Sequence, residues 1–238
     1  MASDPSVTDS SAARPRRKPQ LSEEVASILR HQIMTAELLP GDRVRIDETA
    51  AALGVSVTPV REALLTLRGE GMMLLAPHRG YEVAPLTRTD IDDLFWLQGE
   101  AAARIARRTA AVITSAQVDD LAWANAQFRS ALAAADTPAL TAAEFDFHRT
   151  HNQISGNTKL AWILLNTTRY TPHALYAADP DWGNTTVELH DALIAAYRTG
   201  DADAAADCIR AEFTDGAARL IAHLETTAIW RSPSDSTN

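Results

Sequence analysis

Four side chains able to bind a proton or a cation stand out in the later part of the chain: Glu144, His148, His190 and Glu212. Glu144 and His148 are four residues apart, which on a helix puts them on one face, a single turn from each other. That face continues through His151 and Ser155, so taken alone it reads equally as a solvated polar stripe. His190 shares its stripe with Val187 and Ile194, and Glu212 shares its own with Cys208, Ile209 and Gly216. A carboxylate on a buried stripe is costly unless paired or bound to a cation, whereas a lone histidine there is commonly a hydrogen-bonded core residue. Two such intrusions on different helices favour one shared site. Asp146 lies beside this pattern but, on a helix, points away from His148.

A second set of reactive groups is cationic and lies near the start. In Asp47–Leu65 the spacing predicts two short helices joined by a tight turn: Asp47 as cap, Ala50 and Leu53 on one face, then Gly54 as stop. Ser56 caps the next helix and Pro59 is tolerated in its first turn. Val60, Ala63, Leu64 and Leu67 form its packing stripe, and Arg61 looks away from that stripe. One face buried and the other free to enter a groove is the design of a helix-turn-helix. Upstream, Ser22 precedes a helix with Val25, Ile28, Leu29 and Ile33 at helical spacing, which stops before the turn Leu39-Pro40-Gly41-Asp42. Downstream, Met72 to Ala76 and Tyr81 to Ala84 read as a hairpin around Pro77-His78-Arg79-Gly80, a wing with a basic tip.

The elements that carry the first set are helical. From Thr89 the chain predicts helices at about Thr89 to Thr109, Ser115 to Ala134, Leu140 to Ser155, Lys159 to Tyr170, Thr186 to Thr199 and Ala202 to Thr226, joined by short connections. The fold class expected is therefore mostly α: a winged helix-turn-helix with a small β-hairpin wing over residues 20–86, then an all-α antiparallel bundle over 87–228. A basic tail (1–19, with Arg14, Arg16, Arg17 and Lys18) precedes them and a short tail (229–238) follows. The 238 residues suffice for two cores. No apolar run approaches the roughly 20 residues that span a bilayer and no signal peptide is visible, so no membrane is expected and a cytoplasmic location is. A single cysteine, Cys208, rules out an intrachain disulfide.

Net charge is -9, an odd value for a nucleic-acid binder until it is divided. Residues 1–86 hold 10 Lys/Arg and 11 Asp/Glu, against 12 and 20 in residues 87–238. The acidic surplus sits almost wholly in the bundle. The first part is neutral rather than basic, so DNA binding must depend on how Arg43, Arg45, Arg61, Arg68 and Arg79 are presented, and a dimer would double that footprint.

The motifs Leu38-Leu39-Pro40-Gly41-Asp42-Arg43-Val44, Ala51-Ala52-Leu53-Gly54-Val55-Ser56, Thr58-Pro59-Val60-Arg61-Glu62-Ala63-Leu64, Glu70-Gly71 and Arg79-Gly80-Tyr81-x-Val83 resemble the GntR family of bacterial transcription regulators. Phe147-His148-Arg149, Ser155-Gly156-Asn157, Glu188-x-His190 and Gly200-Asp201-Ala202 resemble the ligand-binding domain of its FadR subgroup. The resemblance implies a homodimer that binds a pseudo-palindromic double-stranded DNA operator, more often as a repressor, and answers to a small-molecule effector. It implies DNA contacts from Arg45, Ser56, Thr58, Arg61, His78, Arg79 and Gly80. Many members hold a divalent metal through one Asp and three His. By position, His148 and His190 match two of those His, Glu144 stands for the Asp and Glu212 for the third His. The alternative is a metal-free pocket in which the two Glu pair with Arg or His.

Three departures accompany the match. Val57 stands where the family commonly has an Arg that meets DNA. Two His and two carboxylates make a harder, more anionic donor set, suited to Zn, Mn or Fe. Gln98 stands where an Arg commonly grips an effector carboxylate, leaving Gln98 and Arg169 as the candidate effector contacts. Trp96, Trp123, Trp162, Tyr170 and Tyr176 are expected as cavity lining or plain core. Against an enzyme, the chain lacks a His-Glu-x-x-His motif and a nucleophile elbow. A metal-dependent hydrolase-like bundle, or a sensor that has lost DNA binding, is the competing expectation.

Overall fold

The computed structural model describes residues 18–230 apart from residue 78. The expected basic tail therefore falls almost wholly outside the described residues, as do His78 and most of the C-terminal tail.

Helix α1 (Lys18–Met34) buries Val25, Ala26, Leu29 and Ile33 against α3, while Ile28 is exposed. Helices α2 (Ile46–Leu53) and α3 (Val57–Gly69) follow, and Gly54 between them sits at φ 64°, the left-handed conformation that ends a helix most cheaply in glycine. Helix α2 begins one residue before Asp47. Arg45 occupies the cap position without a side-chain bond, so Asp47 complements the helix dipole in the first turn instead of capping. Ser56 is at the cap of α3, also without a side-chain bond.

The wing is three-stranded. Strands β2 (Met73–Ala76) and β3 (Gly80–Val83) form the expected antiparallel hairpin, and β1 (Arg43–Val44) pairs on the far side of β3, giving the order β1-β3-β2. Val44 lies opposite Tyr81, placing two buried side chains on the core face. A two-residue strand has too few positions to show a period, which is why it left no trace in the pattern.

Seven helices complete the second half: α4 (Arg88–Ala110), α5 (Ser115–Ala133), α6 (Thr137–Ile154), α7 (Thr158–Thr167), α8 (His173–Ala177), α9 (Pro180–Thr199) and α10 (Ala202–Glu225), with a 3-10 turn at Thr168–Tyr170. Thr87 and Thr114 close capping boxes with Asp90 and Gln117, fixing the starts of α4 and α5. Helix α9 begins six residues before the expected Thr186. Pro180 and Gly183 read as loop residues, yet Pro is suited to a first helical position, and Asp179 caps the helix. Helix α4 packs most extensively on α10, while α5 rests on α6 and α9. The buried apolar cluster of the first half continues through Ile91 and Phe95 into Leu220 and Leu224 of α10. No single described helix is long and apolar enough to cross a membrane.

Candidate functional site

Three helices bring the four singled-out residues together. Glu144 and His148 project from α6, His190 from α9 and Glu212 from α10. One ligand atom from each lies within 4.8 Å of the others. The His148 Nε2 is 3.0 Å from Glu144 Oε1 and 2.7 Å from Glu212 Oε1. The His190 Nε2 is 3.8 Å from Glu144 Oε2 and 3.9 Å from Glu212 Oε1. His190 is fully buried and its ring stacks on that of Phe147 at 3.6 Å.

The hydrogen bonds around His190 fix its tautomer. Asn125 donates through Nδ2 to Asp191 Oδ1 at 2.8 Å, and Arg129 holds the other oxygen of Asp191. Asn125 Oδ1 is thereby turned toward His190 Nδ1, 3.1 Å away, as an acceptor. The ring proton therefore resides on Nδ1, and Nε2 presents its lone pair to the two carboxylates. Burial pushes the pKa of His190 down to about 3, so the ring stays neutral.

His148 behaves oppositely. Burial alone would lower its pKa, but the carboxylates of Glu212 and Glu144 outweigh that and hold it well above the usual histidine value. Its proton satisfies Glu144 Oε1 and Glu212 Oε1, which is the metal-free pairing expected as the alternative. That pairing is incomplete. Glu144 Oε2 and His190 Nε2, both buried, have no hydrogen-bond partner. Two buried lone pairs facing each other without a donor cost about 1–3 kcal/mol each. A cation among the four atoms satisfies both, so the residues present fit a divalent metal.

His151 lies one turn further along α6. It continues the same α6 stripe, yet it is a core residue: buried, 2.5 Å from the Tyr197 hydroxyl through Nε2, 3.2 Å from Asn152 Oδ1 through Nδ1, and pushed down to about 4 by burial. Both its nitrogens are occupied. His173 of α8 was not singled out in the sequence. Burial lowers its pKa, with Glu144 and His148 close enough to act on it, although much of its surface is exposed. Cys208 is no activated nucleophile, since burial and Asp207 push its thiol up.

The effector candidates separate. Gln98 is fully buried on α4 and donates through Nε2 to the Thr167 carbonyl at 2.9 Å, leaving Oε1 without a partner. Arg169 reaches the first half, with Nη1 3.5 Å from Glu23 and 3.7 Å from Glu70. Glu70 is also gripped by buried Arg30 through two bonds of 2.9 Å, and the Tyr170 hydroxyl donates to the Glu70 carbonyl at 2.6 Å. The turn that leaves α7 is thus bolted to the end of α3. Of the aromatic residues, Tyr176 is core, donating to the Gly216 carbonyl. Trp96, Trp123 and Trp162 are not core but about two-thirds exposed (67%, 67% and 64%), because each falls off its helix's buried stripe, and Trp96 lines a shallow pocket against Phe213 of α10.

In the first half, α3 buries Pro59, Val60, Ala63, Leu64 and Leu67 and leaves Ser56, Val57, Thr58 and Arg61 exposed. Arg79 and Gly80 sit exposed at the wing, with Gly80 at φ 81°. Among the described residues, Arg61, Arg68 and Arg79 engage no carboxylate. Arg45 pairs with Glu48 at 2.7 Å and Arg43 with Glu82 at 3.5 Å. An exposed pair such as Arg45–Glu48 is worth about 0–1 kcal/mol, little obstacle to a phosphate.

A winged helix-turn-helix carrying a helical bundle with a polar cluster in its core defines the class of two-domain bacterial transcription regulators. Family profiles agree with that division: "Bacterial regulatory proteins, gntR family" matches residues 21–83 and "FCD domain" matches residues 96–215. The chain belongs to the GntR family, with an FCD domain as its second half. It is similar to the HTH-type transcriptional regulator McbR of Escherichia coli, 35% identical over 74 residues that make up 31% of this chain and 34% of that protein. It is also similar to the HTH-type transcriptional repressor RspR of Escherichia coli, 26% identical over 151 residues, 63% of this chain and 66% of that one. The match to McbR thus spans about a third of that relative's length. The solved structure of E. coli McbR/YncC shares the fold, with a TM-score of 0.65 at 23% identity over 85% of this chain and 97% of the other. Lar of Listeria monocytogenes does so with a TM-score of 0.60 at 15% identity, covering the same 85% and 97%.

Proposed function

We propose that the chain is a homodimeric repressor that binds a pseudo-palindromic operator through α3 and the wing and responds to a small-molecule effector bound in the helical half. The observation that carries this reading is the division of α3. One face is buried to completion, and the other presents Ser56, Thr58 and Arg61 with no partner of its own to satisfy. Such a helix is free to meet base edges and phosphates in the major groove, with Arg79 and Gly80 beside the backbone and Arg45 at the next phosphate. Val57 supplies an apolar contact where a longer cation would add charge. Repression is the direction by analogy with RspR, whose name states it.

A second copy would bring two α3 helices to successive half-sites. The exposed large apolar side chains Trp96 of α4 and Trp162, Ile163 and Leu165 of α7, helices that pack together, support such an interface. Glu144, His148, His190 and Glu212 would hold a divalent ion of the Zn, Mn or Fe kind, which when bound supplies a Lewis acid for an effector oxygen. Asn125 keeps the His190 lone pair aimed inward, and Phe147 stacks on its ring. Effector occupancy reaches the DNA-binding half through the turn held by Gln98 at Thr167 and by Glu70 at Tyr170, biasing one arrangement of the halves.

Operator capture tests the reading. Purified protein is incubated with sheared genomic DNA of its source at two salt concentrations, and the retained fragments are sequenced. A short inverted repeat retained more weakly at the higher salt is the expected result. Absence of any enriched sequence at both salts, with and without divalent metal, contradicts it.

A further inference from the structure

Where the two halves of the chain meet, a cleft of about 400 Å³ opens beside the Tyr170–Glu70 contact. It lies in the size range of about 300–1,000 Å³ that small ligands occupy. Its lining comes from α1, the ends of α3 and β3, the first turns of α4 and the turn after α7. Most of that lining is apolar, with Met34, Met72, Leu86, Leu94 and Leu97 forming the bulk. Three carboxylates also line it, Glu70, Asp90 and Asp93, and no basic residue does.

The three acids differ. Both oxygens of Glu70 are held by Arg30, and Asp90 Oδ2 accepts from the backbone N–H and hydroxyl of Thr87 in the α4 capping box, which leaves only its Oδ1 free. Asp93 is exposed and, among the described residues, has no ion-pair or hydrogen-bond partner. It is the carboxylate with neither oxygen engaged, one helical turn from Leu97 and three residues from Asp90 on the same face of α4. Apolar walls with one uncommitted anion at the rim match a molecule with an apolar tail and a cationic head. Two methionines in the wall, both buried, can repack around tails of varied shape.

We propose that this cleft is a second ligand site, separate from the polar cluster, which takes small amphipathic amines. Because it is walled by both halves, an occupant there also bears on the contact between them.

The test uses the full chain with n-octylamine and octanoate, which share a tail and differ in the sign of the head. Both are titrated in parallel, followed by calorimetry and by the methyl resonances of 13C-labelled methionine. The chain has four methionines, and Met73, buried next to Met72 but not lining the cleft, serves as an internal control. Saturable binding of the amine, with shifts of the Met34 and Met72 methyls exceeding that of Met73, is the expected result, with octanoate binding more weakly. Asp93→Lys, a change at an exposed position, should weaken the amine by about tenfold through loss of attraction and added repulsion. The proposal is overturned if neither compound binds saturably, if octanoate binds as well as the amine, if the shifts lie elsewhere, or if Asp93→Lys leaves the affinity unchanged. Operator DNA enters none of these measurements, so failure of the regulator reading would show separately.

Discussion

The outward face of α3 and the four-residue cluster of α6, α9 and α10 both hold polar groups without partners, but in opposite surroundings. Arg61 is bathed in water, which solvates it fully, so being unpaired costs the folded chain nothing. Glu144 Oε2 and His190 Nε2 are shut away from water, and their missing partners are charged directly to stability. The recognition surface is therefore separable from folding, while the cluster is not. One region can change its surface chemistry by a substitution that leaves the fold untouched; the other must keep an arrangement in which its buried lone pairs and protons balance.

The largest effect expected from this contrast is loss of metal binding on changing the cluster. Glu144→Ala or His190→Ala should lower divalent-metal affinity by more than the about 10–100-fold that an outer partner contributes, measured by competition with a chromogenic chelator. Asn125→Ala, which touches no ligand atom of the metal but frees the His190 ring to turn, should cost about that 10–100-fold itself. Unchanged affinity in Asn125→Ala would dissolve the tautomer argument. On the other side of the comparison, Arg61→Ala should weaken operator binding by about 1–3 kcal/mol and leave the thermal midpoint where it was. A midpoint that falls with the affinity would mean that the recognition face is not separable after all.

The pH dependence of the metal-free chain sharpens the contrast within the cluster. His148 has a folded pKa raised above its unfolded value, so the stability it contributes is complete below about 6.5 and is lost as pH rises toward the folded value. His190, folded near 3, acts in the other direction: its contribution is present above about 6.5 and fades as pH falls toward 3. The stability difference between wild type and His148→Gln should thus shrink as pH rises from 6.5 in chemical denaturation, and a difference that grows would reverse the assignment. The smallest effect is at the junction, where Tyr170→Phe removes one hydrogen bond to the Glu70 carbonyl and should cost about 0.5–1.5 kcal/mol of stability.

How much of this was legible in the sequence follows the same division. The helix-turn-helix was readable because its signals are local: a glycine at positive φ, a proline in a first turn, a packing stripe within one helix. The cluster was readable as polar residues interrupting buried stripes, a signal that Asn125 also carries between Leu121 and Phe128 but that was not followed there. The interrupted stripe did not tell His148 from His151, since only the fold brings Tyr197 to one and Glu212 to the other. The grip of Arg30, Arg169 and Tyr170 on Glu70 joins residues 40 to 100 positions apart and has no local signature. The start of α9 was hidden by Pro180 and Gly183, and β1 by its length.

The most direct test of the contrast is the metal stoichiometry of the purified chain, first stripped with chelator and then dialysed against limiting Zn or Mn, beside Glu144→Ala and Arg61→Ala. The account predicts one ion per chain for the wild type and for Arg61→Ala, and none retained by Glu144→Ala. A wild-type chain that retains no ion, or a Glu144→Ala chain that retains it fully, would contradict the claim that the buried lone pairs are built for a cation.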